Sequence, residues 1–131
     1  MKNSLDLLLA IDTDKIKRPT KEVEIKRLSE LTGGRVIFSL QSLTTNEHSD
    51  VMETCSDSGN INRSELQKMI ILKGVTSPDF KDKSLLDKFN APTPKALIEK
   101  LLLPGEIVSV YNEISELSGF SENAVSELKN A

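Results

Sequence analysis

The sequence predicts an α+β fold dominated by helices, with a small N-terminal β-hairpin followed by several short packed helices. Three observations carry this. Residues 21–28 alternate, with Val23 and Ile25 on one side and Glu22, Glu24 and Lys26 on the other, the period of a half-buried strand. Thr32-Gly33-Gly34 then punctuates the chain before a second apolar run, Arg35-Val36-Ile37-Phe38-Ser39-Leu40, which reads as the returning strand. From residue 83 onward, apolar side chains recur at three- and four-residue spacing between recognisable helix caps.

Taken in chain order, residues 4–11 read as a short helix capped by Ser4 or Asn3, with Leu5, Leu8 and Leu9 on its apolar face. Residues 12–21 are polar, contain Pro19 and read as a linker into the hairpin. Thr44-Thr45-Asn46-Glu47 matches a capping box, in which the hydroxyl accepts from the third amide and the Glu reaches back; the helix it opens runs to about Cys55 and stops in Ser56-Asp57-Ser58-Gly59-Asn60. Asn62 or Ser64 opens another helix carrying Leu66, Met69, Ile70 and Leu72, although its β-branched end equally suits a strand. After Gly74 the run Val75-Thr76-Ser77-Pro78-Asp79-Phe80 is an extended connector, and residues 83–89 form an amphipathic helix with Leu85, Leu86 and Phe89 inward. Thr93-Pro94 is an N-cap followed by proline at the first helical position, where the missing N–H costs nothing. Pro104 opens a helix ending at Gly119, with Ile107, Val110, Tyr111, Ile114 and Leu117 on one side. Ser121 caps a last short helix. The 131 residues fit a single domain, 1–131, without internal repeats or low-complexity tracts.

Composition narrows the function. A net charge of −3 and only short basic clusters, Lys15-Ile16-Lys17-Arg18 and Lys26-Arg27, argue against nucleic acid as a partner, because phosphate binding needs clustered cations. The single Cys55 cannot form an internal disulfide. The apolar run Leu7-Leu8-Leu9-Ala10-Ile11 is far shorter than the ~20 residues that span a bilayer, so the expectation is a soluble cytoplasmic protein with no membrane partner.

No catalytic constellation emerges. His48 and Cys55 lie two helical turns apart, ~10 Å along the axis, beyond the ~3 Å that a thiol–imidazole pair requires. His48, Asp50, Glu53 and Cys55 are mixed in softness and lack the paired spacing of a zinc site. Asp79, Asp82 and Asp87 read as helix caps or solvated charges, and Gly33-Gly34 and Gly105 form no phosphate loop. The chain is expected to be no enzyme and to carry no metal or cofactor.

What stands out is the apolar stretch of residues 97–120. Leu97, Leu101, Leu102, Leu103, Ile107, Tyr111, Ile114 and Phe120 are candidate partner-binding positions, lining a surface that accepts an apolar helix. The plainer alternative is that they form the protein's own core. Burying about 500 Å² of apolar surface would contribute roughly 12 kcal/mol in gross transfer terms, of which association costs of about 4–15 kcal/mol remove most. One such contact is weak and reversible; several along a long client hold it through multivalency.

Several words of the sequence carry a family resemblance. These are Met69-Ile70-Ile71-Leu72-Lys73-Gly74-Val75, Pro78-Asp79-Phe80, Leu85-Leu86-Asp87-Lys88-Phe89, Thr93-Pro94, Leu101-Leu102-Leu103-Pro104-Gly105-Glu106-Ile107, and the run from Tyr111 to Phe120. With them the chain resembles the XkdN-like phage tail assembly chaperones, in layout over its whole length and most specifically over residues 70–120. The resemblance implies a protein of a tailed phage, prophage or phage-tail-like particle that coats the aggregation-prone tape measure protein until the tail tube polymerises around it. It also implies absence from the finished particle and, in many such systems, a longer form made by ribosomal frameshifting; this chain, ending in Leu128-Lys129-Asn130-Ala131, would correspond to the short form. The family has no catalytic residues to carry over. The rival reading is a minor structural tail protein, a tail-completion or connector subunit. A greasy surface open on the free chain also predicts a homo-oligomer.

Overall fold

The structure, a computed structural model, describes residues 3–128. Its elements in chain order are α1 (Ser4–Leu9), a 3₁₀ turn (Thr13–Lys15), β1 (Thr20–Glu24), α2 (Lys26–Thr32), β2 (Ile37–Gln41), α3 (Thr45–Thr54), β3 (Ser56–Asp57), β4 (Asn60–Ile61), α4 (Arg63–Gly74), β5 (Val75–Ser77), α5 (Lys83–Lys88), α6 (Pro94–Leu101) and α7 (Pro104–Leu117). The architecture is α+β and mostly α, as the sequence predicts.

The two N-terminal strands pair antiparallel, Thr20 opposite Gln41 and Val23 opposite Phe38. They are not joined by a tight turn, however. The first strand ends at Glu24 instead of running to residue 28, and α2 fills the connection. The reason is local. Ile25 and Leu28 are both buried and three residues apart, which is a helical spacing, and Gly33 takes the left-handed conformation (φ 75°) that closes a helix, its N–H reaching the Ser29 carbonyl at 3.0 Å. An alternation of only two apolar residues cannot be told from the start of such a stripe. On its other side β2 pairs antiparallel with β5, giving the order β1-β2-β5. The ambiguous end of the fourth helix thus resolves into both alternatives in succession: α4 runs through Ile70 and Ile71 to Gly74, and a strand begins at Val75.

Several predicted caps form. Thr44 accepts from the Glu47 N–H (3.2 Å) while Glu47 Oε1 accepts from the Thr44 N–H (2.9 Å), completing the capping box of α3. Thr93 accepts from Ala96 (3.1 Å), with Pro94 at the first position of α6. Asp82 caps α5 through the Leu85 N–H at 3.1 Å. The turn-rich segment after α3 is a two-residue-loop hairpin of β3 and β4, with Ser58 (φ 52°) and Gly59 (φ 83°) both at positive φ, the geometry that matches the twist of paired strands. The helix expected after Ser121 does not form: residues 121–125 make turns and bends, with Ala124 N–H reaching the Ser121 carbonyl at 3.3 Å. Val125 and Leu128 stay 87% and 96% exposed, so no buried face is there to hold a short helix together. Lys129, Asn130 and Ala131 of the expected C-terminus lie outside the described residues.

The core forms where α4, α6 and α7 meet the sheet. Phe38, Leu40, Ile71, Leu97, Ile98 and Ile114 are sealed from solvent, and Phe80, from the connector after β5, meets Phe38 edge to face with ring centroids 5.7 Å apart. At the crossing of α4 and α7 the backbones approach so closely that a β-carbon on Gly74 would lie 2.6 Å from two atoms of the Ile114 side chain. Residues 3–22 contribute nothing to this core; the side chains packed in or against it begin at Val23.

Candidate functional site

The eight candidate positions separate on folding. Leu97, Leu102 and Ile114 face inward and are buried. Leu101, Ile107 and Tyr111 are half-buried at the margin of the core. Leu103 (52% exposed) and Phe120 (59%) stand in solvent at opposite ends of α7, so the eight do not make one continuous patch. Phe120 stacks on His48, ring centroids 4.9 Å apart and planes tilted 32°.

Leu103 opens onto a groove with a cavity volume of about 600 Å³ between α7 and the β1–α2 segment. Val23, Ile25, Leu103, Gly105 and Val110 give it an apolar floor, and Ser109 lies on its α7 wall. Two ion pairs tie its walls together. Arg27 meets Glu106 in a forked arrangement, Nε to Oε2 at 3.1 Å and Nη2 to Oε1 at 2.8 Å, and Nη2 also donates to the Leu101 carbonyl at 2.8 Å. Lys21 pairs with Glu113 farther along. Glu106 is held further by the Leu103 N–H, which donates to Oε1 at 2.7 Å and so satisfies an otherwise orphan donor at the start of α7. The Arg27 guanidinium, aided by that N–H, keeps the Glu106 carboxyl below the usual carboxylate range, against the opposing effect of its partial burial.

A second apolar surface lies at the N-terminus. α1 forms with Asn3 as its cap, accepting from Asp6 N–H at 2.8 Å, as the sequence predicts. Its leucines, however, touch no core: Leu5, Leu7, Leu8 and Leu9 are each 55–76% exposed, and Ile11 and Ile16 continue the series. Among the described residues no hydrogen bond or ion pair joins residues 3–17 to the rest of the chain; the first anchors are Arg18, paired with Glu47 at 3.2 Å, and the Pro19 carbonyl, which accepts from Ser42 N–H at 3.0 Å. The exposed arm and the groove are the features that reading the residues did not single out. The signal for the arm was present as Leu7, which breaks a single-face pattern, and in the polar, proline-bearing linker after it. The groove has no local signal, because its two walls come from residues about eighty positions apart.

The titratable residues weighed as chemistry sit apart. His48 lies against Phe120 at the start of α3, whereas Cys55 is in the core at its end, where burial pushes the thiol above its ordinary value and the nearby Glu65 adds to the effect. Asp79 accepts from the Lys81 N–H at 2.9 Å, stabilising a turn. Among the described residues no three His, Cys, Asp or Glu side chains converge as metal ligands, and no helix is long and apolar enough to cross a membrane.

Comparison with solved structures finds the same fold in the crystal structure of the protein YqbN, with a TM-score of 0.62 and 23% identity over 78% of this chain and 87% of that one. A comparison with curated proteins finds no match. The family model described as phage XkdN-like tail assembly chaperone matches residues 5–131, the arm, both groove walls and the packed helices included, and the chain belongs to that family.

Proposed function

We propose that this protein binds the tape measure protein of its phage, prophage or phage-tail-like particle and keeps it soluble while the tail tube assembles. The observation that carries the reading is the apolar surface left open on a chain whose core is otherwise closed: the leucine arm, the groove beside α7, and Leu103 and Phe120 at its two ends. A folded chaperone recognises an unassembled client by offering greasy surface to a greasy segment, without making or breaking a bond. Of the candidate positions, Leu101, Leu103, Ile107, Tyr111 and Phe120 are the proposed client contacts, while Leu97, Leu102 and Ile114 serve by holding α6 and α7 in place. The protein acts as a single domain in the host cytoplasm, self-associates, and is absent from the mature particle; a longer frameshifted form of the same chain is a further proposed partner.

Co-expression tests the reading. The tape measure protein should be recovered in the soluble fraction as a complex with this chain and precipitate without it; equal solubility in both cases refutes the proposal. Quantitative mass spectrometry of purified particles should find the chain missing. Stoichiometric amounts would make it a structural tail subunit instead.

A further inference from the structure

We infer that the free edge of β1 takes an extended segment of a partner polypeptide as a fourth, antiparallel strand, and that this segment carries an apolar residue flanked by basic ones. The inference rests on the chaperone reading and deepens it, stating which kind of client segment enters the groove beside α7.

The backbone supplies the first observation. Ile25 N–H reaches the Val36 carbonyl and Ser42 N–H the Pro19 carbonyl, each at 3.0 Å, and the register between them is unbroken from Thr20 opposite Gln41 to Glu24 opposite Ile37. Hydrogen-bonded pairs alternate along an antiparallel ladder, so the odd-numbered residues of β1 bond to β2. The N–H and C=O groups of Thr20, Glu22 and Glu24 point the other way and have no partner among the described residues. Such a row is a template for another strand. The sheet's other edge, β5, is only three residues long and runs into Pro78, which has no N–H to offer.

The groove lies along the same free edge. Its lining comes from residues 23–27 and from Leu103 and α7, with nothing from β2, whose Phe38 and Leu40 are sealed in the core. Lys21 pairs with Glu113 near the start of β1 and Arg27 with Glu106 beyond its end, so α7 runs antiparallel to the strand, on the face that Lys21 and Val23 share. In an added strand, the residue opposite Val23 would stand on that face, beside Val23, Leu103 and Val110. Its two neighbours would fall on the other face, opposite Glu22 and Glu24, which are exposed and form no ion pair among the described residues. Cross-strand pairs favour opposite charges, so these two positions select Lys or Arg. Lys26, exposed and also unpaired among the described residues, lies past the strand at the start of α2.

The same charges turn away other copies of the strand. Every antiparallel register that pairs at least three residues of two β1 edges sets Glu22 against Glu22 or Glu24, or Lys21 against Lys21, and like charges directly opposite are destabilising. The chain's own Lys15-Ile16-Lys17 has the required pattern, but its N–H groups are engaged in the 3₁₀ turn, donating to the Asp12, Thr13 and Lys15 carbonyls at 2.9–3.1 Å. Laying it on its own β1, with Lys17 opposite Glu22, would also draw Thr20 and Lys21 out of the strand to make the turn.

The test is residue-resolved amide hydrogen exchange on the full-length protein, with a blocked seven-residue peptide of alternating lysine and valine as the probe. The N–H groups of Thr20, Glu22 and Glu24 should exchange fast in dilute protein and slow about tenfold or more as peptide is added, while anisotropy of the dye-labelled peptide shows saturable binding. A peptide of the same composition with its lysines and valines in separate blocks, and one with glutamate for lysine, should bind about tenfold more weakly or worse. Glu22→Lys with Glu24→Lys, both at exposed positions, should leave circular dichroism unchanged, weaken the lysine peptide about tenfold and strengthen the glutamate peptide. A peptide that binds without slowing the three amides, or binding indifferent to the two substitutions, overturns the added strand. So do amides already slow without peptide: protection that rises with protein concentration assigns the edge to a second copy, and protection independent of it to the chain's own residues. Solubilisation of the tape measure protein is scored on the same preparations. A wild type that solubilises it but fails the peptide test loses only the added strand; one that takes the peptide and leaves the client insoluble loses only the chaperone reading.

Discussion

Gly74→Ala is a strong test of how the core is assembled. Gly74 ends α4 with ordinary backbone angles, so alanine there should gain the usual advantage over glycine, about 0.5–1 kcal/mol. Against this stands the approach of α7. The added β-carbon would lie 2.6 Å from Cδ1 and Cγ2 of Ile114 and 2.9 Å from Cγ1, and Ile114 is fully buried. Overpacking of this kind costs about 1–3 kcal/mol. The close contact wins, and the net loss should be about 1–2 kcal/mol. With ~2.1 cal/mol/K of unfolding entropy per residue over the 131 residues, this corresponds to a fall in Tm of about 4–7 °C. Thermal and urea denaturation followed by circular dichroism measure it. The cause is isolated by combining it with Ile114→Val, which alone costs about 0.5–1.5 kcal/mol but removes one of the clashing carbons. In the Gly74→Ala background that cost should shrink or change sign, a coupling of about 1 kcal/mol. Additive effects, or an alanine variant more stable than the wild type, would refute the argument from close approach.

Three further outcomes follow from the same geometry. Leu97→Ala empties a fully buried site and should cost about 2–5 kcal/mol, whereas Leu103→Ser at the exposed groove mouth should shift stability by no more than ~0.5 kcal/mol while lowering recovery of soluble client in the co-expression assay. Glu106 has its folded-state pKa lowered by Arg27, so its contribution to stability is present above the ordinary carboxylate pKa and is lost as pH falls through the depressed value; the urea midpoints of wild type and Glu106→Gln should differ at neutral pH and converge below about pH 4. Cys55, buried with its thiol pushed up, should react slowly with a maleimide in native buffer and rapidly in denaturing urea; fast native labelling would place it at the surface.

The parts of the fold that were legible in sequence are those fixed by neighbours in the chain. The capping box at Thr44, the Thr93-Pro94 start of α6 and the three-and-four spacing of α7 are each written within a dozen residues, and each forms. The β1–β2 connection was not legible because its deciding residues serve two patterns at once: Ile25 ends an alternation with Val23 and begins a helical spacing with Leu28. The helix expected at Ser121 had a plausible cap and nothing to pack on, and without tertiary contacts a cap alone does not hold a turn or two of helix. For the candidate surface the difficulty is deeper. Leu101, Leu102 and Leu103 are consecutive and identical in chemistry, yet they come out half-buried, buried and exposed, because the chain leaves α6 there and turns into Pro104. Only the placement of α7 against the sheet decides which way each points.

The leucines of the arm pose the opposite problem. A helix apolar on several sides belongs where it can be surrounded, in the middle of a core or between molecules. This chain builds a core without it: α4, α6 and α7 already pack with the sheet, with close contacts at Gly74–Ile114 and Phe38–Phe80. The polar segment that follows, with its 3₁₀ turn, links the arm to its first anchor on the fold, the Arg18–Glu47 pair. The fold's own stability therefore gives no reason to retain four adjacent exposed leucines in five residues, and their exposure works against solubility. Their retention makes physical sense when another surface covers them for part of the protein's working life. Under the proposed function that surface is the client, whose own apolar segment would cover the leucines while it is held.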